Sequence, residues 1–174
     1  NRRTMTRLYA LVMVLLISTA TLSAQQTTKW AVGVRGGCDF ELIGRYTGLG
    51  EVAGKPMYLE GRFGTILVYA SEFTPEGTAI AAWECAKFGE SSVGDFSFDA
   101  GVAVNAGGWS PTDCWILAGP MVRLNYTFSQ APISLGFDWT PCAGIQSTST
   151  EKFSPHFTWS KLLYSFALSC TYNF

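Results

Sequence analysis

Nine charged residues stand out by their setting: Arg35, Arg45, Arg62 and Arg123, with Glu41, Glu60, Glu84, Asp99 and Asp138. They are far apart in the chain, and each lies among small or apolar neighbours rather than in a charged run. Carboxylates brought together can do acid–base chemistry. Mixed with guanidinium groups they neutralise one another instead, as buried charges must. Four arginines against five carboxylates therefore predict a structural ion-pair network. The single histidine, His156, shares a polar stretch with Ser154 and Glu151. A nucleophilic Ser–His–acid set needs its parts held by different rigid elements, so this stretch reads as a solvated loop. No metal-ligand spacing occurs. Gly36-Gly37 and Gly107-Gly108 lack the following helix that a phosphate cradle requires. The expectation is no catalytic residue, no metal and no cofactor.

The elements that must position these charges show a period of two. In the last thirteen residues Leu162, Tyr164, Phe166, Leu168, Cys170, Tyr172 and Phe174 alternate with Leu163, Ser165, Ala167, Ser169, Thr171 and Asn173. A strand sends alternate side chains to opposite faces, so one face is apolar and the other small and mostly polar. The same alternation predicts seven earlier strands, near 29–38, 40–47, 57–69, 78–88, 96–106, 116–128 and 133–140. The fourth, Ala-rich, would also suit a short helix. Pro120 lacks a ladder donor, which predicts a bulge or weak pairing there. Turns or loops are expected at 50–56, 71–77, 89–95, 107–113, 129–132 and 146–156. The nine charges all fall on the small-residue face. Ala86 is assigned to that face as well.

The N-terminus carries Arg2, Arg3 and Arg7, an apolar run from Leu8 to Ile17, and small residues to Ala24. This is the pattern of an export signal, residues 1–24, cleaved near Ala24. The mature chain, residues 25–174, would hold nine basic and thirteen acidic residues. No basic run suggests nucleic acid. Charged residues are 14% of the chain, against about 25% in soluble domains. Five cysteines, at 38, 85, 114, 142 and 170, show no paired spacing. Cys114 and Cys142 fall near neighbouring strand ends and could pair in an oxidising space.

A soluble barrel would need a charged outer surface. Here the face opposite the apolar one is Gly, Ala, Ser, Thr and Asn with spaced charges, which suits the crowded interior of an eight-stranded barrel. The fold class expected is all-β: an eight-stranded antiparallel up-and-down transmembrane barrel, apolar face outward. Trp30, Phe96, Phe98, Tyr126, Phe128, Tyr172 and Phe174 fall at one end, and Tyr69, Trp139 and Tyr164 near the other, as two interfacial girdles would.

The chain resembles the small eight-stranded porin-like outer-membrane barrel family of Gram-negative bacteria. The likeness is carried by Trp30-Ala31-Val32-Gly33-Val34-Arg35-Gly36-Gly37, Tyr58-Leu59-Glu60-Gly61, Ile133 to Pro141, and Thr171-Tyr172-Asn173-Phe174. It implies location in the cell outer membrane, a monomer in outer-membrane lipid, and Tyr172 with Phe174 as the signal read by the barrel-assembly machinery. A structural or interaction role with a filled lumen is expected first. A small passive pore is the main alternative, followed by a lipid-modifying enzyme and a soluble periplasmic binder.

Overall fold

The structure is a computed structural model that describes residues 29–66, 74–110, 112–156, 159–163 and 165–174. The proposed export signal, Tyr69 and Tyr164 lie outside the described residues. Among the described residues eleven strands form in chain order: β1 (Trp30–Gly37), β2 (Asp39–Tyr46), β3 (Glu51–Val52), β4 (Lys55–Ile66), β5 (Pro75–Phe88), β6 (Gly94–Ser110), β7 (Asp113–Phe128), β8 (Ile133–Trp139), β9 (Ala143–Ser147), β10 (Ser154–His156) and β11 (Phe166–Asn173). One helical turn, α1 (Trp159–Leu162), precedes β11.

Eight of the strands close a ring. β1 pairs with β2 and β11, β11 pairs with β8, and β8 pairs with β7, while β2, β4, β5, β6 and β7 run in sequence. All pairings are antiparallel, and closure sets Val34 opposite Cys170. The fold is an eight-stranded antiparallel barrel. Both described chain ends, Lys29 and Phe174, lie at one rim, the terminal end; the far end is the opposite rim, where β4, β6 and β8 end and β5, β7 and β11 begin.

The period-two faces sort as their chemistry demands. Leu42, Phe63, Val102, Ile116 and Leu168 on the outer face are each more than half exposed, with Leu168 at 67%. Ala31, Ile43, Ile80, Ala82, Ala103, Leu117, Met121 and Ala167 are buried inside, together with the charged residues. Aromatic rings cluster at the two rims. At the terminal end Trp30 lies 4.7 Å from Tyr46, Phe96 4.8 Å from Tyr126, and Tyr172 5.0 Å from Phe174. At the far end Phe166 stacks between Phe137 and Trp139, at 5.7 Å and 5.6 Å.

Residues 78–88 lie in a strand, as expected, and not in the alternative helix, because β5 is paired on both sides. Several other local expectations need correction. The register of β5 shifts between Glu84 and Ala86, so Cys85 is an extra residue. A bulge of this kind moves later side chains to the opposite face, and Ala86 is exposed beside outward Phe98 rather than inward. The turn at 50–56 holds a hairpin, β3 on β4, whose tip Ala53-Gly54 has φ of 53° and 74°; two positive φ values are what a tight two-residue hairpin requires. The loops at 71–77 and 107–113 are shorter than expected, since β5 begins at Pro75, β6 reaches Ser110 and β7 starts at Asp113. The polar stretch 146–156 contributes to the β9–β10 hairpin. The closing strand starts at Phe166, not Leu162, because α1 is folded inward by contacts described below.

Pro120 pairs with Val102 on β6. On the opposite side β7 pairs with β9 through Ala118 and with β8 from Val122, so the ladder lapses at 119–121. The lapse faces Thr140-Pro141-Cys142, where the neighbouring strand breaks into β8 and β9. Gly119 permits the close approach, since an added Cβ would meet the Pro141 carbonyl oxygen. Gly44 and Gly61, on the outer face, have open space where a methyl group would sit. Gly119→Ala should therefore lower stability by about 1–3 kcal/mol. Gly44→Ala and Gly61→Ala should stay within about 0.5 kcal/mol of wild type. Urea unfolding of the three variants checks the contrast.

Candidate functional site

Inward positions on five strands bring seven of the nine predicted charges together. Antiparallel register makes the first pairs: Arg35 lies opposite Glu41, Arg45 opposite Glu60, and Arg123 opposite Asp138. Arg35 donates to Glu41 at 2.8 Å and Arg45 to Glu60 at 2.8 Å. Two contacts across the lumen and one between neighbours on β4 tie these pairs into one cluster. Arg35 Nε reaches Asp138 at 2.9 Å, Arg62 Nε reaches Glu60 at 2.7 Å, and Arg123 Nη2 reaches Glu60 at 2.6 Å. Arg62 also approaches Asp138 at 3.4 Å. Glu60 thus accepts from three guanidinium groups. All seven side chains are buried.

The other two predicted members stand apart. Asp99 is buried, but its oxygens accept from neutral groups: Tyr58 Oη at 2.8 Å, Asn125 Nδ2 at 2.6 Å and Ser97 Oγ at 3.2 Å. Glu84 is half-buried and makes none of the ion pairs of the cluster. Both face the terminal end.

A second cluster, outside the predicted set, lies near the far end. Lys161 of α1 donates to Asp39 at 2.7 Å and to Glu76 at 2.6 Å, and all three are buried. Asn105 adds a bond to Glu76 at 3.1 Å. The Cys142 amide donates to the Lys161 carbonyl at 2.8 Å, and Arg35 Nη2 donates to the Ser165 carbonyl at 3.0 Å. These bonds draw the segment before β11 into the far-end mouth and explain why the strand begins late. Burial works against the Lys161 ammonium, and the charges of Asp39 and Glu76 more than offset it, so its pKa lies above the ordinary lysine value. A raised lysine pKa contributes stability that is whole at neutral pH and is lost only as pH climbs through the folded-state pKa, above about 10.4. Asp39 lies on the inward parity of β1 and β2, and Glu76 on that of Thr78, Ile80 and Ala82, so extending those strands would have found both. Lys161 carries no such signal.

The clusters divide the lumen. Between them lies a void of about 20 Å³, room for roughly one water molecule. Below the central cluster a vestibule of about 660 Å³ opens at the terminal end, lined by Arg45, Tyr58, Glu84, Asp99, Asn125 and others.

Of the remaining expectations, Ser154 stands on edge strand β10 and Glu151 is exposed in the turn before it. No disulfide joins Cys114 and Cys142. Among the described residues no cluster of three or more His, Cys, Asp or Glu side chains could hold a metal ion.

No protein-family model, curated protein or solved structure matches this chain.

Two substitutions test the energetic ranking. Glu60→Gln leaves three buried guanidinium groups short of a charge and should cost about 3–5 kcal/mol, the range for breaking a buried pair. Glu84→Gln should stay within about 0.5 kcal/mol of wild type. Urea unfolding midpoints of refolded protein decide between them. Lys161→Met should also destabilise at pH 7. Its deficit should shrink as pH falls toward about 4, where ordinary carboxylates begin to take up protons and the stranded negative charge falls. Equal deficits at pH 4 and pH 7 would count against the ion-pair account of α1.

Proposed function

We propose that the chain is an outer-membrane β-barrel protein with a side-chain-filled lumen, serving a structural or interaction role in the cell envelope. The single observation that carries this reading is the reversal of polarity between the faces. The outside of the closed ring is a continuous apolar band bearing exposed Leu42, Phe63, Val102, Ile116 and Leu168, while the charges are inside. Water would penalise such a surface, whereas hydrocarbon accepts it. The rings at the two rims support the same reading, because aromatic side chains favour both membrane interfaces. In this orientation the terminal end faces the periplasm and the far end faces outward.

The ion-paired layers favour a plugged barrel over a passive pore. Arg35, Arg62, Arg123, Glu60 and Asp138 meet across the lumen, and Lys161 with Asp39 and Glu76 closes it a second time. A solute would have to separate paired charges to pass. The C-terminal pair belongs to this proposal as well: Tyr172 packs against Phe174, whose amide donates to the Trp30 carbonyl at 2.8 Å, and both would present the closing strand to the assembly machinery.

Cell fractionation with gel migration before and after heating tests the location. The expected result is recovery with the outer membrane and a heat-dependent shift in mobility; a freely soluble mature chain would overturn it. In a planar bilayer the purified protein should give no large stable conductance steps, and such steps would favour the pore. Deleting Phe174 should lower the amount of assembled barrel without altering the stability of the fraction that does assemble.

A further inference from the structure

The void of about 20 Å³ between the two charged layers has polar walls. The central cluster contributes Arg35, Glu41 and Arg62 to its lining, and the far end contributes Asp39, Lys161 and Ser165. Buried polar atoms are normally hydrogen-bonded. Three atoms on these lining residues have no such partner among the described residues: Asp39 Oδ1, Arg62 Nη2 and Ser165 Oγ. Their residues are at most 5% exposed, so bulk water does not serve them.

The three residues are held in place by their other polar atoms. Asp39 Oδ2 accepts from Lys161 at 2.7 Å, Arg62 Nε donates to Glu60 at 2.7 Å, and the Ser165 carbonyl accepts from Arg35 at 3.0 Å. The Asp39 carboxylate and the Arg62 guanidinium cannot turn to new partners without losing those bonds. The Ser165 hydroxyl can rotate, either to donate or to accept.

The chemistry of these atoms selects the occupant. Arg62 Nη2 can only donate, and an ionised Asp39 Oδ1 can only accept. An anion in the void would meet the carboxylates of Asp39 and Glu41. A cation would meet Arg35, Arg62 and Lys161. A neutral molecule that both donates and accepts satisfies all three atoms. The void exceeds the roughly 10–15 Å³ that a water molecule needs, and about three partners is usual for a buried water.

We propose that this void is a binding site for one structural water, which accepts from Arg62 Nη2, donates to Asp39 Oδ1 and shares a hydrogen bond with Ser165 Oγ. The water links the side chain of Asp39 in the far-end cluster to that of Arg62 in the arginine layer. It does so beside the bond from Arg35 to the Ser165 carbonyl, so the two layers are tied by side chain as well as by backbone. Both layers enclose the water, and its exchange with bulk solvent waits on one of them opening. The site needs only the folded barrel, so its test is independent of where the protein resides.

The first experiment is a crystal structure of the folded full-length protein at a resolution that shows ordered water, with parallel soaks in sodium bromide and rubidium chloride. One water peak within hydrogen-bonding distance of Arg62 Nη2, Asp39 Oδ1 and Ser165 Oγ is expected, with no anomalous signal there from either soak. An empty void, or a bromide or rubidium peak in it, would overturn the proposal. The second is oxygen-17 magnetic relaxation dispersion, which counts waters that exchange slowly with the bulk. Ser165→Val removes the hydroxyl and fills part of the void, so it should lower the dispersion amplitude by one water. An unchanged amplitude in the folded variant would also overturn the proposal, and the wild-type crystal structure decides it if the variant does not fold.

Discussion

Glu60 sets the terms for the interior. Its two oxygens take Arg45, Arg62 and Arg123 at once, and those residues come from three different strands. A barrel of eight strands is only wide enough to be filled by side chains. Charges placed on its inner face therefore have no water to retreat to and must find one another. The register pairs Arg35–Glu41, Arg45–Glu60 and Arg123–Asp138 satisfy neighbours along the wall. The contacts Arg35–Asp138 and Arg123–Glu60 satisfy partners across it. Small residues elsewhere on the inner face, such as Ala82, Ala103, Ala167 and Ser169, leave the long arginine side chains the space to do so.

On the proposed envelope reading, this arrangement separates two jobs. The apolar outer face answers only to its surroundings. The inner charges answer only to each other, apart from Asp99 and Glu84 at the terminal end. A partner at the outward surface would meet α1 and the β9–β10 hairpin rather than the charged layers, because Lys161 anchors that segment in the mouth. Fold and binding surface are thus decoupled: connections at the far end can vary in sequence while the arginine–carboxylate core is held fixed by the strands beneath.

The barrel and most of its charge cluster are legible in the sequence because strand parity is a rigid rule. Once Glu41, Glu60 and Asp138 are placed on one face, closure brings them near Arg35, Arg62 and Arg123 whatever the loops do. Parity fails where the backbone departs from it. The extra residue at Cys85 turns Ala86 outward, and nothing in the residue types marks that insertion. The alternation in 162–165 continues that of β11, yet α1 interrupts it, since two carboxylates 85 and 122 residues away hold Lys161. A long-range ion pair of this sort overrides local pattern and leaves no local trace. Asp99 falls on the face that parity assigns it, but its separation from the arginines depends on side-chain reach, which parity does not encode.

Closure joins Ala31–Gly37 to Ala167–Asn173, and the first of those segments also carries Arg35, whose partner Asp138 arrives 103 residues later. The order of folding events follows from this. A chain that has formed β1 through β7 already holds Glu41 and Glu60 for its arginines, but Arg35, Arg62 and Arg123 still lack their contacts with Asp138. Long-range closures of this kind are slow, because the loop entropy is lost before the contact forms. The central layer is completed only when β8 brings Asp138 to these three arginines and β11 closes the ring between β8 and β1.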